Sequence, residues 1–296
     1  MMRHRTSRYS AAPACCGPCA PLISAREYRV SRCPYHDVVP DVWDRRIRRA
    51  DQLASTDASA ASLVRFYARL LRGQQAVYRS LGGDALAGDL ERDASAVAAR
   101  RSALLDEVAR HGPAPLAADA RRLIDSGATA TEDQLKRYWR DRADDDFFAK
   151  ALAQPYGRCL ADRGIAIART PADAAPNRCP QCGGAPQVSI LEAAAPDLGG
   201  SRSLLCATCL ACWPFARVRC PFCGEQDERQ LGYFHAPEFD HVRVDACQRC
   251  RRYIKTIDLG RLGLADPLVD ELAAAPLDAW ARDHDYRKIE LNLVGL

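Results

Sequence analysis

Apolar positions along the chain follow two different periods, and the change between them divides it. From Pro40 to Ile167 they recur about every 3.6 residues, as on amphipathic helices. Asp41 is placed to cap a first helix carrying Trp43, Ile47 and Ala50 on one face. A longer helix follows with Leu63, Phe66, Tyr67, Leu70, Gln74, Val77, Tyr78 and Leu81, and Gly82-Gly83 stops it as a left-handed C-terminal cap would. A third helix is expected over 90–110, ending at His111-Gly112-Pro113, and a short one over 116–126. Thr131-Glu132-Asp133-Gln134 reads as a capping box. It opens a helix with Leu135, Tyr138, Trp139, Phe147 and Phe148 that Gln154-Pro155 interrupts.

After Cys179 the helical period disappears. Short alternating runs replace it: Gln187-Val188-Ser189-Ile190, His241-Val242-Arg243-Val244 and Tyr253-Ile254-Lys255-Thr256-Ile257. They are strand-like. Helical spacing returns from Asp266 to His284, with Val269, Leu272, Leu277, Trp280 and Ala281. The expected organisation is a disordered extension over 1–38, a helical domain over 39–167 and a linker over 168–178. A first ribbon over 179–218, a second over 219–260 and a helical tail over 261–296 follow. The fold class is α+β: an N-terminal all-helical domain, two tandem rubredoxin-like or zinc-ribbon β modules, and a short C-terminal helix.

Composition narrows the function classes. Of 296 residues, 48% are hydrophobic, enough to build a core. No apolar run approaches the ~20 residues of a membrane-spanning helix, so membrane insertion is not expected. The basic start is followed by no apolar stretch, which points away from a secretory leader and toward the cytoplasm. Fourteen cysteines in a reducing compartment are metal ligands before they are disulfides. The formal net charge of +4 looks faintly basic. Eight thiolates around two divalent ions would bring it to about zero, so the charge makes nucleic acid an unlikely partner.

The cysteines carry the strongest pattern. Four Cys-x-x-Cys pairs occur: Cys179/Cys182, Cys206/Cys209, Cys220/Cys223 and Cys247/Cys250. A shift of 41 residues converts the first two pairs into the last two, and Arg178-Cys179-Pro180-Gln181-Cys182-Gly183 repeats as Arg219-Cys220-Pro221-Phe222-Cys223-Gly224. This is an internal duplication. Two intervening residues let one tight turn aim both sulfurs at a single ion, and Gly183 and Gly224 can take positive φ there. Two such knuckles complete a tetrahedral S4 site. Equal 23-residue gaps within the units favour sequential sites, 179/182/206/209 and 220/223/247/250, over a cross-braced arrangement joining first and third pairs. An S4 donor set suits zinc or rubredoxin-type iron. Rubredoxin knuckles are both followed by glycine, whereas Leu210 and Arg251 follow the second knuckles here.

Other candidates have blander readings. Cys16-Gly17-Pro18-Cys19 spells a thioredoxin-like redox string, but neither a strand nor an amphipathic helix flanks it. Cys15 and Cys33 belong to the same extension, Cys159 packs in a helix, and Cys212 has Tyr253 as its counterpart in the repeat. His235 and His241 lie between knuckles that already supply four ligands. Asp144-Asp145-Asp146 and the pairs Arg45-Arg46 and Arg48-Arg49 read as solvated helix faces. The chain carries no P-loop, no G-x-G-x-x-G after a strand and no nucleophile elbow, so an enzyme is not expected.

The order of parts resembles the FdhE-type formate dehydrogenase accessory proteins. The resemblance runs from Pro40 to Leu296 and rests on the duplicated ribbons. Tyr67-Ala68-Arg69-Leu70 with Gln74-Gln75, Trp213, Val218-Arg219-Cys220, Ala246-Cys247 through Tyr253-Ile254-Lys255, Asp270-Glu271-Leu272 and Leu277-Asp278 add to it. It implies a cytoplasmic maturation factor, needed for active formate dehydrogenase, that binds the enzyme's catalytic subunit. It also implies that the eight paired cysteines form two metal sites, with iron favoured and zinc possible. It sets no oligomeric state. The alternatives are a nucleic-acid-binding zinc-ribbon protein, using Arg202, Arg217, Arg219, Arg249, Arg251 and Arg252 around the knuckles, or a rubredoxin-like electron carrier.

Overall fold

A computed structural model describes residues 3–5, 42–56, 59–141, 146–167, 175–192 and 200–296. The expectations for Cys15, Cys16, Cys19, Cys33, Asp144-Asp145 and most of the linker fall outside these residues. Of the 1–38 extension only Arg3–Arg5 is described, as a strand.

The N-terminal half is helical: α1 (Val42–Ala54), α2 (Ala61–Leu81), α3 (Leu90–Ala99), α4 (Ser102–His111), α5 (Ala114–Asp125), α6 (Gly127–Asp141) and α7 (Phe147–Asp162). Several boundaries differ from the sequence expectation, each for a local reason. The stretch predicted as one helix over 90–110 is two, because the chain turns at Arg100 and Arg101. Gly82 keeps a right-handed φ of −59°, so α2 closes without a left-handed cap. Thr131 caps nothing: α6 already begins at Gly127, and Thr131 is fully buried inside it. Asp146 is not mid-helix; it caps α7, accepting a hydrogen bond from the Ala149 N–H at 3.0 Å.

Pro155 does not interrupt α7, which runs straight through it. A proline lacks the N–H that would reach the carbonyl four residues back, here that of Ala151. Gln74 on α2 supplies the missing donor: its Nε2 lies 2.8 Å from Ala151 O. The buried helix keeps its hydrogen-bond complement through a side chain from its neighbour.

The C-terminal half is one sheet. Its strands are β1 (Arg3–Arg5), β2 (Pro186–Leu191), β3 (Arg202–Cys206), β4 (Cys212–Pro214), β5 (Leu231–His235), β6 (Val242–Cys247), β7 (Arg252–Asp258) and β8 (Arg287–Lys288). The order is β1-β5-β6-β7-β2-β3-β4, with β8 beside β7. The duplication is visible in it: β2-β3-β4 and β5-β6-β7 are each antiparallel, and β7 joins them by pairing in parallel with β2. The ribbons are therefore two meanders fused edge to edge. The fusion closes two edges that would otherwise be exposed.

The final helical stretch is also two elements, α8 (Pro267–Ala273) and α9 (Ala275–Asp283). α8 lies against α1, α2, β2 and β7, so it clasps both halves. This overturns the solvated reading of two of the α1 arginines. Arg46 is fully buried beside Asp266 at 3.7 Å, and Arg49 donates to Asp270 at 3.0 Å. His241 reaches the same Asp270 at 2.7 Å. On the sheet side, Lys255 and Lys288 meet Glu271 and Asp278, all four buried. Tyr253 donates to Asp278 at 2.7 Å and Asn292 to Glu271 at 3.0 Å. Among the described residues no helix is long and apolar enough to cross a membrane.

Candidate metal centres

The eight paired cysteines gather into two clusters, Cys179/Cys182/Cys206/Cys209 and Cys220/Cys223/Cys247/Cys250, each with its sulfurs within 4.8 Å of one another. This is the sequential grouping. Each cluster joins one knuckle before a meander to one inside it, so the pairing of β2 with β3, or of β5 with β6, brings the sulfurs together.

Backbone geometry in the knuckles repeats across the duplication. The Cys179 N–H bonds to Gly184 O at 2.9 Å and the Cys220 N–H to Glu225 O at 2.8 Å. Gly183 and Gly224 have φ of 72° and 78°, as the spacing predicts. Leu210 and Arg251 take φ of 57° and 55°, the left-handed conformation that glycine adopts at lower cost. The missing glycines after the second knuckles therefore change the cost of the turn and leave its shape intact. Backbone N–H groups point at sulfur: Thr208 N lies 3.3 Å from Cys206 Sγ and Phe222 N 3.4 Å from Cys220 Sγ.

The sulfur spacing tests whether an ion fits. Zinc–sulfur bonds of about 2.3 Å in a tetrahedron set neighbouring sulfurs about 3.8 Å apart. The closest pairs are 3.5 Å (Cys179–Cys209) and 3.4 Å (Cys182–Cys206) in the first cluster. In the second they are 3.7 Å for both Cys220–Cys250 and Cys223–Cys247. The donor set and its size fit one tetrahedral ion per cluster, so both groups could hold a metal. Two thiols of the first cluster also resist ionisation without a cation. Hydrogen bonding among neighbouring thiols, reinforced by burial, pushes Cys179 and Cys209 well above the ordinary thiol range. A bound cation reverses that, because the thiolate is the ligand.

The two clusters differ in surroundings. All four cysteines of the first are buried, whereas Cys223 of the second is exposed and Cys250 half-buried. One cause lies at equivalent positions of the repeat. A Cβ on Gly184 would come within 2.8 Å of Cys206 Sγ and 2.9 Å of Thr208 Oγ1, so glycine is needed there. The matching position holds Glu225, whose carboxylate accepts from the backbone N–H groups of Gln226 and Asp227 and from Arg249. Burial works against Cys223 ionisation, but the Glu225 backbone N–H and the neighbouring thiols hold its pKa below the ordinary range.

Packing supplies the other cause. Gly157 of α7 sits on the first cluster: a Cβ there would lie 2.6 Å from Cys209 Cα. Gln154 donates to Ala207 O at 2.8 Å and Tyr138 pairs with Thr208 at 3.3 Å. The first cluster is thus sealed by helices. None of Gly157, Gln154 and Tyr138 was a candidate from sequence; the small residue three positions after Gln154 on one face was the only hint.

Cys159 and Cys212 are buried and stand outside both clusters. His235 and His241 also stand outside them.

Residues 218–294 match the family model for the FdhE C-terminal domain. A protein FdhE homolog from Aquifex aeolicus is 39% identical over 119 residues, covering 40% of this chain and 42% of that protein. One from Stutzerimonas stutzeri is 29% identical over 119 residues, covering 39% and 37%. The match thus spans about two fifths of the length of these relatives. The crystal structure of the FdhE protein from Pseudomonas aeruginosa superposes with a TM-score of 0.61 at 22% identity, covering 85% of this chain and 94% of that one. The fold is shared over most of the chain, and the resemblance to FdhE proteins stands.

Proposed function

We propose that this FdhE-like chain is an accessory protein that binds the catalytic subunit of formate dehydrogenase in the cytoplasm and is needed for its activity. The eight paired cysteines hold its two metal ions. The observation that carries this reading is a pair of four-cysteine clusters, each sized for a tetrahedral ion, on a fold shared with an FdhE protein. Four protein sulfurs fill a tetrahedral ion's coordination sphere and leave no position for substrate, which favours a structural or redox role over catalysis. An ion in each cluster ties two hairpin turns together and contributes folding energy; iron adds a one-electron couple that zinc lacks.

The arginines around the knuckles support this reading over a nucleic-acid ribbon. Arg202 is buried against Ser189 and Asp245, Arg249 pairs with Glu225, and Arg251 binds the His284 carbonyl. These three are engaged by the protein itself, which leaves less of the exposed basic face that tracks phosphate backbones.

The test is co-purification of the tagged full chain, isolated without oxygen, with the catalytic subunit of formate dehydrogenase from the same cell. The subunit should be retained, and deletion of the chain should abolish formate dehydrogenase activity. A subunit that passes straight through, in a deletion strain of unchanged activity, overturns the proposal. Metal analysis with an absorption spectrum identifies the ion: thiolate-to-iron charge-transfer bands for iron, none for zinc.

A further inference from the structure

Beside the second cysteine cluster lies a concave cavity of about 390 Å³. Six arginines line it: Arg202, Arg217, Arg219, Arg229, Arg243 and Arg252. They come from β3, the loop after β4, the short turn before β5, and from β6 and β7, and they converge because the two meanders share one sheet. Two carboxylates oppose them, Asp245 and Glu228.

The arginines are held in place from behind. Arg202 is buried, with its Nε on Ser189 Oγ at 2.8 Å and a terminal nitrogen on Arg219 O at 3.0 Å. Arg243 donates to Asp245 at 2.8 Å and lies over the Tyr233 ring at 4.8 Å. Arg252 donates to Lys288 O at 3.0 Å and covers Phe222 at 4.8 Å. Arg202 also reaches Ala216 O and Arg217 O at 3.3 Å and Asp245 at 3.4 Å, so its donors are largely spent. Arg229 pairs with Asp227 at 2.8 Å. A guanidinium has five N–H donors, so the contacts of Arg229, Arg243 and Arg252 leave others for a ligand. The Arg219 guanidinium makes no hydrogen bond or ion pair among the described residues. Asp245 is already committed: it accepts from Arg243 and from Thr256 at 2.7 Å.

One alternative is that the arginines merely balance the adjacent thiolates, since Cys220 and Cys247 form part of the wall. A tetrathiolate around a divalent ion carries two negative charges, fewer than the arginines supply even after both carboxylates are counted. The lining stays cationic. Guanidinium forks match phosphate oxygens, and several fixed in one concavity need no reorganisation to bind. The volume is in the range of small-molecule pockets, larger than a lone ion needs. Val218, Leu231, Tyr233 and Ile289 supply an apolar part for the rest of a ligand.

We propose that this pocket binds the phosphate or diphosphate group of a small molecule. The proposal does not rest on client docking, and its test uses no client. Full-length protein loaded with zinc in both clusters is titrated calorimetrically with pyrophosphate, ADP and acetate. Pyrophosphate and ADP should bind saturably at one site, weakening as salt rises, and acetate should not. Arg219→Glu and Arg229→Glu should each weaken pyrophosphate binding about tenfold or more. Arg261→Ala, at an arginine outside the lining, should leave it unchanged. Arg229 is 88% exposed, so its substitution tests the site even if Arg219→Glu reduces metal content. The proposal is overturned by no saturable binding at millimolar pyrophosphate, by acetate binding as tightly, or by affinity unchanged in Arg229→Glu.

Discussion

Gly157 offers the sharpest test of how the helical half bears on the first cysteine cluster. Replacing a helix-interior glycine by alanine ordinarily stabilises a helix by about 1 kcal/mol. Here the added methyl would sit 2.6 Å from both Cα and Cβ of Cys209. Carbon atoms pack best at ~3.5–4.0 Å, so α7 and the knuckle must separate by about an ångström. The obstacle is backbone tied to a cysteine cluster and cannot rotate aside. Overpacking of this kind costs roughly 1–3 kcal/mol. The upper half of that range outweighs the helix gain, so Gly157→Ala should destabilise the metal-loaded protein by about 1–2 kcal/mol. The separation also loosens the Gln154–Ala207 hydrogen bond that closes the cluster. Urea unfolding should show a lower midpoint at unchanged slope, and a chelator should strip the first cluster faster while the second is unaffected. Gly83→Ala, where a Cβ would meet nothing within 4 Å, is the control and should be near neutral. A Gly157→Ala protein about 1 kcal/mol more stable than wild type, with unchanged metal release, would refute the packing argument.

Chelation of the wild type should be biphasic, the second cluster releasing first because Cys223 is exposed and all of the first cluster is buried; a single phase, or the reverse order fixed by Cys223→Ser, would contradict this. Lys255→Met should cost about 3–5 kcal/mol in a denaturation assay, since it leaves Glu271 and Asp278 buried with one cation fewer. Acid should unfold the protein partly through the same group. Burial opposes ionisation of Glu271 and Asp278, but Lys255 and Lys288 outweigh it and hold both pKa values below the usual range. That stabilisation is present above the ordinary carboxylate pKa of ~4 and is lost as pH falls through the depressed values. Asp278→Asn should therefore be less stable at pH 7 and lose less on acidification; equal slopes for both proteins would count against the ion network.

The local chemistry of the knuckles was legible along the chain because it is set over a few residues. Two-residue gaps and a following glycine point to tight turns with positive φ at Gly183 and Gly224, and the 41-residue repeat with equal internal gaps favours sequential grouping of the cysteines. The helices were legible for the same reason, since a period of 3.6 is a property of neighbours. Apart from the helix ends, where the sequence reading erred, a distant residue had replaced a local one. Pro155 looked like a break until Gln74 met Ala151 across the helix pair. Arg46 and Arg49 looked solvated until α8 brought Asp266 and Asp270 to them. The ribbons looked separate, yet β7 pairs with β2. Exposed Cys223 and buried Cys182 occupy the same place in their motifs, and the helices packed on one cluster and absent from the other help distinguish them. Turn geometry and period are decided by bonded neighbours. Burial, charge pairing and the convergence of arginines on a cavity are decided by which surfaces the fold presses together, and that is a property of the whole chain.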